Sequence, residues 1–423
     1  MTRARARTIS EKILSAKSGS DAHAGDTVVC DVDLVVGTDA SSPMAIDYFA
    51  RMGGDHLFDP SRVVFALDHY APPSTPETVA FHEQVRNFAR GHGAEVYEVG
   101  EGISHQIVAE RGRALPGDLV IGADSHTVTC GALNLFATGV GSSDLAAAMI
   151  TGRIWLRVPA TIKVTLTGKR PSGVSAKDVA LSLIAELGAE GANYQTLEFH
   201  GPSLGAFTAE DRFVLSNLAV ESGAKAAIFP ADAATDAYLE RRTTTRRAGV
   251  EADLAAAYSR EVVIALDELT PRIAVPHSPN SVVAIGAVIG TPVDMVFVGT
   301  CTGGRVGDYH DALDVLERAG GRIAPGVALV VTPASREVQV RLVADGTWGR
   351  FVALGAIVTT PGCGACCGTS GVIPGDGMTV LSTANRNFKA RMGNSTASIY
   401  LASPAACGAA AATGRITDPR TFA

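Results

Sequence analysis

The chain has 423 residues, of which 46% are hydrophobic and 19% are charged, and its formal net charge is -7 at pH 7. This acidic balance argues against binding to nucleic acid or to an anionic membrane, because both need a concentrated basic surface. The length predicts two or three domains. Since no apolar run reaches the roughly 18 residues that span a bilayer and no secretory signal is recognisable, we expect a cytoplasmic protein.

The first predicted element is a helix near the N-terminus. The opening MTRARARTIS has arginines and no acidic residue, which is typical of a transit peptide, whereas Ser10 followed by EKILSAK predicts a capped helix start. We favour the helix. From Val28 onward, short apolar runs alternate with amphipathic segments in the order VVCDVDLVV, MAIDYFARM, VVFALDHY and ETVAFHEQVRNFARGHG. This alternation predicts an α/β fold with parallel strands and helical crossovers.

Two predicted strands end in ionisable and polar residues. VVFALDHY places Asp68 and His69 after one apolar strand, and LPGDLVIGADSHT places Asp124, Ser125 and His126 after a later one. In open α/β sheets the functional site lies at the carboxyl ends of the strands. We therefore expect these five residues to lie where the chemistry takes place.

The composition divides the chain at two points. A change in composition after Pro159 predicts a boundary, and TIKVTLTGKRPSG beyond it predicts a hairpin or an edge strand. The stretch ELTPRIAVPHSPNS, residues 268–281, has three prolines and predicts a linker. After it, DMVFVGTCTGG, VALVVTPAS and AIVTTPGCG each predict a strand that runs into a loop. The predicted α/β domains are thus residues 1–160, 161–280 and 281–423.

The motif PGCGACCG, residues 361–368, contains three of the seven cysteines. Cys363 and Cys366 form a C-x-x-C pair that can present two sulfurs to one metal or cluster, while the adjacent Cys367 is expected to be a bystander. Cys301, in VGTCTGGR, can supply a third sulfur. Three thiolates can hold a 4Fe-4S cluster with one iron left open, but a structural zinc site, a redox dithiol and ordinary loop cysteines remain alternatives. The other cysteines have apolar or small neighbours and are expected to be buried: Cys30, Cys130 and Cys407.

Three further motifs decide between these alternatives: GADSHT at 122–127, ATGVGSSD at 137–144 and NRNFKAR at 385–391. Together with the three cysteines they closely resemble the aconitase superfamily, and within it the large-subunit type of two-subunit isopropylmalate isomerases and homoaconitases. The resemblance extends from TISEKIL to ASPAACGAAAATGRITDP, nearly the whole chain. It implies three α/β domains around an oxygen-sensitive 4Fe-4S cluster. It also implies a separate small subunit that supplies a swivelling fourth domain.

The resemblance implies a role for each matching residue in the dehydration and rehydration of a small hydroxy di- or tricarboxylic acid. Cys301, Cys363 and Cys366 would hold the cluster, and His69, assisted by Asp68, would protonate the leaving hydroxyl. Further positions match the family's catalytic residues: His105, Asp124, Ser125, His126 and Glu221. Others match its residues near the cluster and its arginine clamp for a carboxylate: Asn217, Asn385, Arg386 and Arg391.

The chain departs from the family pattern at four positions. Gly303 stands where an Asn is usual and Ala390 where a Gly is usual, while Ala365 and Cys367 replace a frequent Pro and Leu. No ligand is lost, but the choice of hydroxy acid stays open. Isopropylmalate isomerisation in leucine biosynthesis is the expected activity, with homoaconitase and 2,3-dimethylmalate dehydratase as alternatives. A non-catalytic iron-responsive regulator is disfavoured by the acidic charge.

The resemblance also implies what this chain does not supply. In the family, the serine that acts as base and the loop that recognises the variable side group of the substrate lie on the small subunit. We therefore expect the single chain to be inactive without that partner.

Overall fold

The computed structural model describes residues 5–422 and has the α/β architecture that the sequence predicts. The α-helices in this range are α1 (Ile9–Ser18), α2 (Ser42–Arg51), α3 (Pro76–His92), α4 (Ser104–Glu110), α5 (Ser142–Thr151), α6 (Ala176–Leu187), α7 (Ala209–Leu218), α8 (Ala233–Glu240), α9 (Val306–Arg318), α10 (Arg336–Ala344), α11 (Thr347–Ala353) and α12 (Pro404–Thr413). The strands are β1 (Thr27–Asp31), β2 (Leu34–Thr38), β3 (Val63–Ala66), β4 (Glu95–Tyr97), β5 (Leu119–Gly122), β6 (Phe136–Gly139), β7 (Arg153–Arg157), β8 (Thr161–Thr167), β9 (Thr196–His200), β10 (Ala226–Ile228), β11 (Arg260–Ala265), β12 (Arg272–Ala274), β13 (Val282–Ala284), β14 (Met295–Gly299), β15 (Ala328–Thr332), β16 (Ile357–Val358), β17 (Thr379–Ser382) and β18 (Ser398–Ala402).

The first large sheet is parallel throughout, with strand order β4-β3-β2-β5-β6. Three of its strands, β2, β3 and β5, are buried along their whole length, as expected for a sheet covered by helices on both faces. Chain order reverses between β2 and β5, and such a reversal opens a crevice at the carboxyl ends of the strands. A separate two-stranded antiparallel ribbon pairs β1 with β7.

The second sheet is also parallel, with order β10-β9-β8-β11. The prediction that TIKVTLT forms a hairpin or an edge strand is wrong, because β8 lies between β9 and β11. The turn after it leads into α6 instead of doubling back along the strand. Apolar residues of α6 share one core with Met295 and Phe297 of β14, so this helix packs between the second sheet and the third.

The third sheet has the order β13-β12-β18-β17-β14-β15-β16 and is parallel from β18 to β16. The predicted linker at 268–281 is wrong, because it contains β12, which pairs antiparallel with both β13 and β18. Pro271 and Pro276 flank this short strand and do not interrupt it, and Ile273 and Ala274 are fully buried. The division into three domains remains a prediction.

The first helix begins two residues earlier than the sequence predicts. Thr8, not Ser10, caps α1, since its side chain accepts from the backbone N–H of Glu11 while the Glu11 carboxylate accepts from the backbone N–H of Thr8. The expected burial of Cys30, Cys130 and Cys407 is confirmed. Across residues 5–422, no helix is both long and apolar enough to cross a membrane.

Candidate active site

Five ionisable side chains meet at the carboxyl edge of the first sheet, and we call them the acid–base cluster: Asp68, His69, Asp124, His126 and Glu221. Asp68 and His69 follow β3, Asp124 and His126 follow β5, and Glu221 lies in the single 3₁₀ turn after α7. The His69 ring joins two carboxylates, with Nδ1 2.7 Å from Asp68 Oδ1 and Nε2 3.4 Å from Asp124 Oδ2. His126 Nε2 lies 3.0 Å from Glu221 Oε1, and the His126 backbone N–H donates to Asp124 Oδ1 at 2.6 Å.

Carboxyl and imidazole side chains alternate in the acid–base cluster. Burial disfavours a charged imidazole, but the negative charge of Asp68 and the hydrogen bonds to Asp124 and Asp68 outweigh it and hold the pKa of His69 well above its usual value. Burial also opposes ionisation of Asp124, yet hydrogen bonds with His126 and His69 keep its pKa well below the usual range. The pKa of Glu221 is lowered against the effect of burial by His126 and Arg386. Burial raises the pKa of Asp68. The raised pKa of His69 favours a protonated ring between the side chains of Asp68 and Asp124.

A second group lies at the carboxyl ends of three strands of the third sheet and is called here the cysteine cluster: Cys301, Cys363, Cys366, Asn217 and Asn385. Cys301 follows β14, Cys363 and Cys366 follow β16, and Asn385 follows β17, while Asn217 comes from α7. Cys301 Sγ accepts from Asn217 Nδ2 at 3.0 Å and from Asn385 Nδ2 at 3.4 Å. Cys366 Sγ lies 3.5 Å from Asn385 Oδ1. Asn385 therefore contacts two of the three predicted ligands.

The two clusters meet at Cys363. Its backbone N–H donates to the carbonyl oxygen of Asp68 at 3.0 Å. A ligand atom from each of Asp68, His69 and Cys363 lies within 4.8 Å of the others, so this trio could also hold a single metal ion. Cys367, the predicted bystander, has its Sγ 2.7 Å from Thr369 Oγ1. Its nearness to Cys363 and to His69 lowers the pKa of the Cys367 thiol to about 5.

The two arginines of the predicted carboxylate clamp contact different clusters. Arg386 donates from Nε to Glu221 Oε1 at 2.8 Å and from Nη2 to Ser125 Oγ at 3.0 Å, which places it at the acid–base cluster. Arg391 Nη2 lies 3.6 Å from Cys366 Sγ, at the cysteine cluster. Each cluster therefore has one guanidinium group in contact with it.

His105 is the most isolated of the predicted catalytic residues. It lies in the first turn of α4, whose Ser104 N–H donates to Asp68 Oδ2 at 2.8 Å. Within residues 5–422, neither ring nitrogen of this buried histidine has a hydrogen-bond partner. Burial lowers the pKa of His105 to about 3, so its ring is neutral at physiological pH and offers one donor and one acceptor.

Comparison with known proteins identifies the family. The family model described as the aconitase family (aconitate hydratase) matches residues 11–292 and 287–414, most of the chain. This chain belongs to the aconitase family. It is 43% identical to the 3-isopropylmalate dehydratase large subunit 1 of Methanopyrus kandleri and 44% identical to the corresponding large subunit 1 of Thermotoga maritima, in each case over 98% of this chain and 99% of the relative.

A solved structure has a related fold. The aconitase X of Thermococcus kodakaraensis, solved in its holo-form, matches with a TM-score of 0.50 over 89% of this chain and 88% of the other, at 12% identity. At that identity the likeness concerns the fold alone. It agrees with the family assignment and with the α/β architecture of this aconitase-family chain.

Two buried residues beside the site were not predicted from the sequence. Asp39, directly after β2, accepts from the backbone N–H groups of His69 and Tyr70, each at 2.9 Å, and from His82 Nε2 at 2.9 Å. The strand-end rule that identified Asp68 would also have found Asp39. Lys177 in α6 reaches the loops of the cysteine cluster, and no feature of its local sequence distinguishes it from a surface lysine.

Two of the departures from the family pattern have physical consequences. A Cβ at Gly303 would overlap the side chain of Thr383, so an Asn could stand at this position only if Thr383 moved. Ala390 adopts φ = 63°, in the left-handed region that suits the Gly usual at this position. The loop of NRNFKAR therefore carries local backbone strain.

Proposed function

We propose that this chain is the large subunit of a 3-isopropylmalate dehydratase, a hydro-lyase of leucine biosynthesis that interconverts 2-isopropylmalate and 3-isopropylmalate by dehydration and rehydration. The observation that carries the proposal is the meeting of the acid–base cluster and the cysteine cluster at Cys363, whose N–H is bonded to the Asp68 carbonyl. Relatives that carry this name match over nearly their full length, which supports the choice of substrate.

Three residues fit a 4Fe-4S cluster: Cys301, Cys363 and Cys366. Cys301 and Cys366 are 5% and 4% exposed, and the amide donors of Asn217 and Asn385 point at the Cys301 sulfur. Donors to sulfur favour the thiolate, which is the form that binds iron. The two unpartnered nitrogens of His105 among residues 5–422 are a further feature that a bound group would satisfy. A cluster held here would supply an iron with an open position that acts as a Lewis acid on the substrate hydroxyl.

His69 is the proposed acid for the leaving hydroxyl. Expulsion of hydroxide needs a proton, and a donor is effective when it is protonated at the working pH and held in place. Asp68 and Asp124 meet both conditions, since they raise the pKa of His69 and contact both of its ring nitrogens. Asp39 fixes the backbone of His69 through a further hydrogen bond.

The remaining residues have proposed roles in binding and orientation. Arg386 and Arg391 would neutralise substrate carboxylates, for which a guanidinium offers paired donors. Ser125 and Glu221 hold the Arg386 side chain, and Glu221 also orients His126. Asn217 and Asn385 hold the cysteine cluster. His105, Asp124 and His126 would hydrogen-bond the hydroxyl that leaves and returns.

A small subunit is the proposed partner, and the cytoplasm the proposed location. Removal of a proton from carbon needs a base, and among the described residues near the two clusters the carboxylates are engaged by His69, His126 or Arg386. This agrees with a base contributed by another chain. The purified single chain should show no turnover above background.

The test uses the chain co-purified with its small subunit and reconstituted anaerobically with iron and sulfide. Conversion of 2-isopropylmalate, homocitrate and 2,3-dimethylmalate is followed by NMR under identical conditions. The proposal expects 2-isopropylmalate to be converted with the largest kcat/KM and only in the presence of both subunits. Preference for either other acid would overturn the substrate assignment. Zinc bound in place of iron, for example by Asp68, His69 and Cys363, would overturn the cluster.

A further inference from the structure

The positive charge of Lys177 lies in a position that is unfavourable for two reasons. Lys177 is the second residue of α6, and a positive charge in the first turn opposes the helix dipole. It is also only 2% exposed, and burying a charge is costly unless hydrogen bonds compensate. A side chain kept in such a position calls for contacts that offset both costs.

The Lys177 ammonium makes three hydrogen bonds, which use all of its donors. Nζ donates to Thr302 Oγ1 at 3.2 Å, to the Thr383 carbonyl at 2.9 Å and to the Ala384 carbonyl at 2.6 Å. All three acceptors belong to the third sheet's loops, whereas α6 follows β8 of the second sheet. The lysine thus reaches across the boundary between two sheets.

The acceptors are immediate neighbours of the cysteine cluster. Thr302 follows Cys301, and Ala384 precedes Asn385, whose side chain contacts the sulfurs of Cys301 and Cys366. One further bond, from Thr302 Oγ1 to the Thr383 carbonyl at 2.8 Å, joins the same two loops. The ammonium therefore fixes the Cys301 loop relative to the Asn385 loop.

Burial works against a positive charge at this point, and ionised sulfurs nearby work in its favour. Burial lowers the pKa of Lys177 to about 8, while Cys301 acts in the opposite direction when it is ionised. Three thiolates bring several negative charges into a buried region, and outer residues that hydrogen-bond or neutralise ligands commonly tune such sites.

We propose that Lys177 is a positioning residue of the cysteine cluster, which ties the Cys301 loop to the Asn385 loop and supplies a buried positive charge beside the thiolates. This inference rests on the proposed function, because it concerns the cluster assigned there. Loss of the lysine should loosen both loops in the iron-free chain. In the loaded protein it should speed the release of iron and shift the cluster's midpoint potential to a more negative value, since a nearby positive charge favours the reduced form.

The experiment compares Lys177→Met, which keeps the length of the side chain but not its charge or donors, with Lys177→Gln, which keeps donors alone. The matched control is Lys225→Met, because Lys225 is a partly buried lysine that donates to the Gly139 carbonyl at 3.0 Å, away from the cysteine cluster. Hydrogen exchange is measured on the iron-free full chain at residues 301–304 and 383–386. Iron release and midpoint potential are measured on the reconstituted two-subunit protein.

The proposal expects Lys177→Met to exchange faster in both loops, to lose iron about ten times faster or more and to have a more negative potential. Lys177→Gln should slow hydrogen exchange in the two loops relative to Lys177→Met, because it keeps hydrogen-bond donors. Its midpoint potential should still be more negative than that of the wild type, because the charge is gone, and a residue with only a structural role would not cause that shift. Lys225→Met should match the wild type in all three readouts. Wild-type exchange and iron release in Lys177→Met would overturn the proposal.

Two results separate this inference from the proposed function. If Lys177→Met does not fold, the test uses Lys177→Gln instead. Rates of hydrogen exchange and a midpoint potential equal to those of the wild type in that variant would overturn the proposal. If the wild type takes up no iron, the proposed function fails, while exchange in the two loops still decides whether Lys177 ties them together.

Discussion

The acid–base cluster and the cysteine cluster are held together by different interactions. In the acid–base cluster, charged groups already satisfy one another, as His69 does between Asp68 and Asp124. In the cysteine cluster, burial raises the pKa of Cys301 to about 12, and its thiol is contacted mainly by amide donors. The acid–base cluster, which forms the acid–base half of the site, is therefore organised by the fold alone. The cysteine cluster, which forms the cysteine half, needs a bound metal group to displace the proton of the Cys301 thiol.

The largest effect should come from the cysteine half. Cys301→Ser should abolish cluster binding and lower kcat/KM more than about a thousandfold, since Lewis-acid stabilisation contributes several kcal/mol and each ~1.4 kcal/mol is tenfold in rate. Iron and sulfide analysis and steady-state kinetics check it. Cys367→Ala is the control, and it should keep its cluster. Equal iron loss in both variants would assign Cys367 a ligand role and contradict the proposed ligand set.

A smaller effect is expected from the acid–base half. His69→Gln should lower kcat by about 10² to 10⁴, the usual contribution of a general acid, with iron content unchanged. In the wild type, kcat should fall as pH rises through the raised pKa of His69, because only the protonated ring can donate; this alkaline limb should begin above about 6.5, the ordinary histidine value. The limb should vanish in His69→Gln.

The control for that variant is His56→Gln, because His56 is 80% exposed and lies outside both clusters. It should retain the wild-type rate and pH profile. A persistent alkaline limb in His69→Gln would assign the acid to another residue. Loss of iron from His69→Gln would show that the two halves are not independent.

Replacement of Arg386 should change KM by a smaller factor than replacement of His69 changes kcat. Arg386→Lys should raise KM about ten- to a hundredfold, from the roughly 1.5–3 kcal/mol of one charge-assisted hydrogen bond, while cluster content stays constant. Kinetics with 2-isopropylmalate and parallel iron analysis measure this. An unchanged KM would remove Arg386 from substrate binding and leave it the structural bonds to Glu221 and Ser125.

The smallest effect concerns the strained loop beside the cysteine half. Ala390→Gly should stabilise the protein by up to about 1 kcal/mol, since a non-Gly residue in the left-handed region costs more than the added freedom of the unfolded chain. Gly377→Ala is the control that makes the reverse change, because Gly377 has φ = 72° and nothing stands within 4 Å of the position that a Cβ would take. It should destabilise by a similar amount in denaturant titrations. A loss of stability in Ala390→Gly would mean that the Ala390 methyl group has favourable contacts.

The sequence predicted much of the site because strand ends are visible in it. Asp68 and Asp124 follow apolar runs, and parallel strands bring such ends together at one edge. Asp39 follows the same rule and could have been found. The helix start was also readable, since Thr8 and Glu11 have the spacing of a capping box.

Other features depend on distant parts of the chain. The three residues of β12 become a strand only because β13 and β18 flank them, so the nearby prolines suggested a linker. Lys177 has a local sequence like that of any helix start, and its three acceptors lie more than a hundred residues away. Whether the sulfurs bind a cluster or a single metal depends on spatial neighbours that C-x-x-C spacing does not encode.

If the two halves act on one substrate, the EPR spectrum of the reduced, anaerobically reconstituted two-subunit protein should change when that substrate binds. Spectra are recorded with and without 2-isopropylmalate. We expect a 4Fe-4S signal in the free protein that the acid perturbs, because substrate held by Arg386 beside His69 would also meet the cluster. A protein that takes up zinc and no iron, with no EPR signal, would contradict this expectation.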